Sequence, residues 1–417
     1  MMNGVCRFYN AILVCLLVVV SAFSQPVDTL LTLPSGFQSV VFAEAVGRAR
    51  HLTVRSNGDV YVALRKAKNG KGVVALRDSD GDHVADQISY FGDFVGTGIE
   101  IYHNHIYFGA DTAVVRYALM DDALLPNPSP EVIIAGLPDQ RQHRAKPLAF
   151  DDQGNLYLNI GAPSNACQEE LRTPGSPGMD PCPQLQRQGT IWVFSAEKPN
   201  QTLQQDGKRY ISGIRHCVAV AWNPLTGLLY GVQHGRDQLH SLWPDYYTEQ
   251  DNAGLPAEEF LLFRRGSEYG WPYCYYDSRQ DKKVLAPEYG GDGNKIGRCD
   301  QYEDPIMTFP AHWAPNDLHF YTGNQFPPRY RGGAFIAFHG SWNRAPEPQR
   351  GYKVMFVPFN GELPTGEKEI FADGFSGNSP IFSPREAKYR PMGLAESPDG
   401  SLYISDSTQG KIWKVIY

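Results

Sequence analysis

An all-β fold, a six-bladed β-propeller, is the architecture this sequence predicts, and three observations lead there. An apolar run, a turn with glycine and an aliphatic-Tyr strand recur as one phrase along the chain. Glycine and proline are abundant (Gly 41, Pro 31) beside 23 Tyr and 21 Phe. No amphipathic helical period of useful length competes. Turn formers set between β-branched and aromatic runs read as hairpins.

The elements follow in order. Gly58-Asp59-Val60-Tyr61 is the first copy of the phrase, and a weaker one follows at Asn104-His105-Ile106-Tyr107. Gly154-Asn155-Leu156-Tyr157 comes behind the strand-like Pro147-Leu148-Ala149-Phe150, then Gly227-Leu228-Leu229-Tyr230. A second weak copy is Gly332-Gly333-Ala334-Phe335, and the last is Gly400-Ser401-Leu402-Tyr403 behind Gly393-Leu394-Ala395-Glu396. Six hairpins in one chain imply blades arranged radially, which leave only short edges exposed. Uneven spacing sends long loops from one face, and function is expected on those loops. A β-sandwich array is the alternative, but no linker divides the chain into sandwich-sized pieces.

At the start, Arg7 precedes the apolar stretch Ala11 to Val20, which gives way to Ser21-Ala22-Phe23-Ser24-Gln25. That run is too short to span a bilayer, and small residues end it, as in a secretory signal peptide. Residues 1–24 are therefore expected to be removed, leaving 25–417 as a single propeller domain, periplasmic or secreted and without a membrane span. The formal net charge of −7 includes Arg7, so residues 25–417 stand near −8. Such a surface repels nucleic acid and anionic lipid.

Five cysteines follow residue 24. Export permits disulfides, and local pairs Cys167–Cys182 and Cys274–Cys299 would each close a Pro/Gly-rich or polar loop. Cys217, in an apolar run, is expected to stay free as a small buried hydrophobe. Asp78, Asp80, Asp82 and Asp86 form a separate acidic loop whose alternating carboxylates suit a structural calcium as well as a solvated turn.

A group of motifs carries a family resemblance. Arg215-His216, His234-Gly235-Arg236-Asp237, Pro244-Asp245-Tyr246, Tyr269-Gly270-Trp271-Pro272 and Gly340-Ser341-Trp342-Asn343-Arg344 together resemble the soluble glucose and sorbosone dehydrogenases, most closely the sorbosone branch. The likeness runs from Leu33-Pro34-Ser35-Gly36-Phe37 to Arg390-Pro391-Met392-Gly393-Leu394. It implies a propeller that holds pyrroloquinoline quinone (PQQ) against Ca2+, oxidises a sugar or sugar-derived aldehyde and passes electrons to a separate acceptor such as a cytochrome or quinone.

The resemblance also implies roles. His143 is the histidine base, since a neutral imidazole can take a hydroxyl proton near neutral pH. Arg215 faces the cofactor, because a tricarboxylate demands cations and arginine's planar fork suits carboxylates and developing oxyanions. Arg65, His216, Trp342, Asn343, Arg344 and Arg390 are expected cofactor contacts. Gly235 and Arg236 would offer backbone carbonyls to the calcium, an ion that takes oxygen ligands readily. Two departures stand out: His216 replaces the asparagine of the glucose branch, and Gln238-Leu239-His240-Ser241 replaces acidic residues common in the sorbosone branch. A metal-dependent propeller lactonase, with Glu, Asn and Asp turned inward, and a non-catalytic carbohydrate-binding propeller are the competing functions.

Overall fold

The computed structural model describes residues 28–417, so the expected signal peptide lies outside the described residues. Six sheets stand around one axis, each built on four antiparallel strands, with the short strand Gln201–Thr202 added in parallel to the outer strand of blade 2. From the innermost strand outward, blade 1 is Ala49–Val54, Val60–Lys68, Lys71–Arg77 and Gln87–Phe91; blade 2 is Gly96–Tyr102, His105–Ala110, Val114–Ala118 and Glu131–Ala135. Blade 3 is Leu148–Phe150, Asn155–Ile160, Thr190–Ser195 and Lys208–Ser212, and blade 4 is Ala219–Asn223, Leu228–Gln233, Glu258–Phe263 and Met307–Phe309. Blade 5 is Pro315–Phe320, Ala334–Phe338, Lys353–Val357 and Glu369–Ala372. Blade 6 closes the ring: Pro391–Glu396, Leu402–Asp406 and Ile412–Ile416 take Gln38–Ala43 from the other end of the chain as outer strand.

Each of the six phrases expected from sequence forms the turn between the first two strands of a blade. Its tyrosine explains the recurrence. Tyr61, Tyr107 and Tyr230 are buried between blades, and their hydroxyls donate to the Leu124, Ala196 and Glu362 carbonyls at 2.9, 2.9 and 3.0 Å. A ring that fills an apolar layer while its hydroxyl caps a loop does both jobs with one residue. Six apolar clusters fill the six spaces between neighbouring blades, for example Phe260, Phe320, Ile336 and Phe338 between blades 4 and 5. Where blade 6 meets blade 1 near the axis, one position leaves no room for a side chain. A Cβ on Gly393 would lie 2.6 Å from the Arg50 carbonyl oxygen of the next blade, so that position needs glycine.

Two disulfides are present as expected, Cys167–Cys182 and Cys274–Cys299, and Cys217 is buried and free. The first closes the loop between the second and third strands of blade 3. The second lies in the long excursion between the third and fourth strands of blade 4. No helix among the described residues is long and apolar enough to cross a membrane.

Candidate active site

Because all six inner strands run the same way, their N-terminal ends surround one mouth of the central channel and their C-terminal ends the other. The loops at the N-terminal mouth, here called upper, are the long ones. They enclose a cavity of about 380 Å³ lined by residues from blades 1, 3, 4, 5 and 6.

His143 stands in this cavity on the loop entering blade 3. Its Nδ1 lies 2.7 Å from the Ala162 carbonyl. A carbonyl can only accept, so Nδ1 carries the proton and Nε2 is left as the basic atom. The ring stacks on His216, with centroids 4.4 Å apart, and His216 lies 4.8 Å from His234. Gly161 makes room for this stack: a Cβ there would sit 2.9 Å from His143 Cβ and 3.1 Å from His216 Nδ1. Burial, then the charge of Arg215, holds the His143 imidazolium pKa well below its usual 6.5. His216, His312 and His339 are lowered for the same first reason, and His234 falls to about 4. All five imidazoles of the cavity are therefore neutral at neutral pH.

The charge in the cavity comes from arginine. Arg50, Arg172, Arg215 and Arg390 all line it. Arg215 is buried and donates to the Gly235 carbonyl at 2.9 Å and to Asp237 Oδ2 at 2.7 Å. Burial works against the Asp237 carboxylate, but the charges of Arg215 and Arg172 outweigh it and hold its pKa at about 2. Asn343 donates to the other Asp237 oxygen at 2.6 Å. Arg390 donates to the His339 and Gly340 carbonyls at 2.9 and 2.5 Å. Burial first, then Arg65, lowers Arg50 to about 9, so it too stays charged. Four cavity residues, His143, Arg172, His312 and Ala314, hold left-handed backbone at φ 51, 55, 64 and 59°. Such non-glycine conformations cost on the order of 1–3 kcal/mol each and persist where the surroundings impose them.

Of the residues expected from sequence, His143, Arg215, His216, Gly235, Trp342, Asn343 and Arg390 meet in the cavity. Arg65 and Arg344 do not bring a side chain to it, and Arg236, expected for its backbone carbonyl, does not line it. The Arg65 guanidinium pairs with Asp111 at 3.3 Å on the rim. Arg344 is only 7 % exposed and donates to the Pro348 and Ala253 carbonyls, which ties its loop down and holds the side chain outside the cavity. Arg236 is buried against Glu288, with Nη2 2.8 Å from Oε1. The Gln238 to Ser241 segment begins a short helical turn, and Gln238 accepts from Arg172. Asp78, Asp80 and Asp86 do gather, with ligand atoms within 4.8 Å of one another. Asp82 stays out of that group and accepts the Val84 N–H instead. Their loop joins the third and fourth strands of blade 1, at the other mouth of the channel.

Sequence reasoning missed Arg50, Arg172, Asp237, Glu258, His312, Asn316 and His339. Asp237 had a signal, its place in the His234 to Asp237 run. The others are single residues at strand ends or in loops, with no local pattern.

A tricarboxylated quinone fits this cavity by charge. Four arginines supply positive charge in excess of Asp237. Calcium held by carbonyls alone fits less well, because the Gly235 oxygen already accepts from Arg215.

A family model described as TrAA12-like matches residues 31–417. Among curated proteins the chain is similar to a pyrroloquinoline quinone-dependent pyranose dehydrogenase of Coprinopsis cinerea, 23 % identical, with 91 % of this chain and 53 % of that protein covered. It is also similar to an uncharacterized protein of Borreliella burgdorferi, 29 % identical over 49 % of this chain and 48 % of that one. The chain thus spans about half the length of these curated relatives. Among solved structures it is similar to the holo form of the C. cinerea pyranose dehydrogenase PQQ domain, with a TM-score of 0.76, 19 % identity and 94 % and 98 % of the two chains covered. At that identity the likeness speaks for the fold.

Proposed function

The chain belongs to the TrAA12-like family, and from that premise we propose that it is a PQQ-dependent dehydrogenase of pyranose sugars or sugar-derived aldehydes. One observation carries the reading: a neutral imidazole with its basic nitrogen left open stands in a cavity ringed by four arginines. PQQ, when bound, supplies an electrophilic quinone carbon that accepts hydride. Arg50, Arg215 and Arg390, which line the cavity, would hold its carboxylates and oxygens by charge-assisted hydrogen bonds. His143 takes the substrate hydroxyl proton at Nε2 while hydride leaves the same carbon, so an aldose becomes a lactone and an aldehyde hydrate an acid. Stacking on His216 and the Ala162 hydrogen bond fix the imidazole plane for that transfer. Ca2+ would add positive charge beside the quinone oxygens.

Export into the periplasm or medium, after removal of residues 1–24, agrees with the two disulfides. A separate protein or quinone acceptor takes the electrons. The deciding experiment reconstitutes purified protein with PQQ and Ca2+ and records absorbance before and after adding a panel of aldoses and aldehydes. Bleaching of the oxidised spectrum by a sugar is expected, and no spectral change with any of them removes the proposal. The lactonase reading has an observation of its own, since Glu258, Asn316, Asp237 and Asn343 all line the cavity. It leaves the arginines without a task, and lactone hydrolysis by protein free of PQQ would establish it.

A further inference from the structure

The lower mouth of the channel opens into a second cavity of about 380 Å³, which the dehydrogenase reading does not use. Two kinds of wall meet in it. One carries three carboxyls: Glu100 from the inner strand of blade 2, Asp317 from that of blade 5 and Glu396 from that of blade 6. Among the described residues no lysine or arginine lines the cavity. Asp317 accepts the Leu318 and Leu394 N–H groups at 2.9 and 2.8 Å, one on each oxygen. Glu396 accepts from the Thr322 N–H and hydroxyl at 2.8 and 3.2 Å and from His319 at 3.1 Å. Glu100 accepts from the Thr53 hydroxyl and the Ile101 N–H, both at 3.2 Å and both on Oε1. Of these carboxyl oxygens only Glu100 Oε2 has no hydrogen bond among the described residues.

The other wall is aromatic. Tyr102 stacks on Phe150 with centroids 4.7 Å apart, and Trp222 stacks on Tyr157 at 5.7 Å. Tyr102, Phe150 and Trp222 are each half-buried and line the cavity. Glu100 and Tyr102 stand two apart on one strand, where alternate side chains share a face, so the pleat itself sets the open oxygen beside a ring. A negative oxygen without a donor, next to π faces that attract positive charge, is recognition chemistry for an organic cation. A bare metal ion suits the cavity less. Among the described residues only Asp78, Asp80 and Asp86, on the outer loop of blade 1, gather acid or imidazole ligand atoms within 4.8 Å of one another.

We propose that the lower cavity binds a protonated primary amine carried on an apolar body, its ammonium donating to Glu100 Oε2 and its body lying against Tyr102, Phe150 and Trp222. The upper mouth, with its four arginines, repels the same ligand. This inference stands whether or not the upper cavity takes PQQ.

Titration calorimetry of the full chain without PQQ tests it, with 2-phenylethylammonium chloride as the probe and 2-phenylethanol, which differs only in lacking the charged group, as its control. Burial raises the Glu100 pKa to about 6, so the measurement is made two units higher, where the carboxylate is charged. One site is expected for the cation, with the alcohol bound about tenfold more weakly or worse, since a charge-assisted hydrogen bond is the stronger kind. Glu100→Gln keeps an oxygen for Thr53 and Ile101; it should lower cation affinity by about tenfold or more and leave alcohol binding unchanged. Trp222→Leu should weaken the cation severalfold, and it decides the matter if Glu100→Gln does not fold. A cation bound no better than the alcohol, no saturable cation binding, or parent affinity in either variant overturns the proposal.

Discussion

The two mouths of the channel are built from the two ends of the same six strands, yet they hold opposite chemistry. Each opens into a cavity of about 380 Å³. The upper one gathers four arginines and five neutral imidazoles. The lower one gathers Glu100, Asp317 and Glu396 with His51 and His319, over Tyr102, Phe150, Trp222 and Phe320. Burial acts on both and favours the neutral form of each group, so imidazoles go down in pKa and carboxyls go up. His234 falls to about 4, whereas Glu100 rises to about 6, with burial the first cause in each case. Glu396 is the exception: burial opposes its ionisation, but His319 at 3.1 Å keeps it lowered. A fold that is nearly symmetric about its axis thus has a strongly polarised axis, and an anionic cofactor has one door.

The largest expected effect separates catalysis from binding within the upper mouth. His143→Gln should leave PQQ bound, because the imidazole is assigned to the substrate. Its rate of cofactor reduction should fall by roughly 10²–10⁴, the usual contribution of a positioned general base. Single-turnover stopped flow with a reactive aldose measures it. A parent-like rate would return His143 to the status of a wall residue.

Next comes a contrast between arginines. Arg390→Ala removes a guanidinium that lines the cavity, and PQQ affinity should fall by about 1.5–3 kcal/mol, the worth of a hydrogen bond to a charged group. Arg344→Ala, read from sequence as an equal partner, should weaken PQQ less, since its side chain lies outside the cavity, tied to the Pro348 and Ala253 carbonyls. Equal losses in the two variants, measured by fluorescence or absorbance titration, would mean that loop order and not charge sets affinity.

Those two arginines show what the sequence could and could not convey. Blade hairpins were legible because turn, glycine and tyrosine sit within a few residues, so their physics is local. The disulfides were legible for the same reason, each closing a short loop. The site was legible only where a motif marked it. Arg50 and Arg390 come together because blade 6 closes on blade 1, and nothing near either residue announces that. Arg344 shares a motif with Asn343, yet the loop turns one side chain to the cavity and buries the other against Ala253. Glu258 reads as the first residue of an ordinary strand until the Gly235 loop is folded over it.

The upper imidazoles should also appear in the dependence of stability on pH, with a sign opposite to that of Glu100 at the lower mouth. Upper imidazoles have folded pKa values below the unfolded 6.5, so the unfolded chain binds more protons. Their stabilisation is present above about pH 6.5 and is lost as pH falls toward the folded values. Melting temperatures of the cofactor-free protein should therefore drop on acidification below about pH 6.5. A profile flat down to the carboxylate range would mean that the cavity histidines charge without cost.

Glu100 gives the smallest effect and the sharpest test of the contrast. Its folded pKa is raised from 4.5 to about 6, chiefly by burial, while Thr53 and the Ile101 N–H, each 3.2 Å from Oε1, partly offset that. A raised folded value means that the native state binds the proton more tightly. Stability from this group is full below about pH 4.5 and is lost as pH rises through about 6. Glu100→Gln keeps an oxygen to accept both hydrogen bonds and removes the ionisation. The variant should gain up to about 2 kcal/mol over the parent at neutral pH, and the gain should vanish below the unfolded carboxyl value. Denaturant titrations at a series of pH values measure the difference, and sugar oxidation should be unaffected because the group faces the other mouth. A variant destabilised at every pH would show that the lower cavity needs the charge, and the two mouths would no longer be opposites.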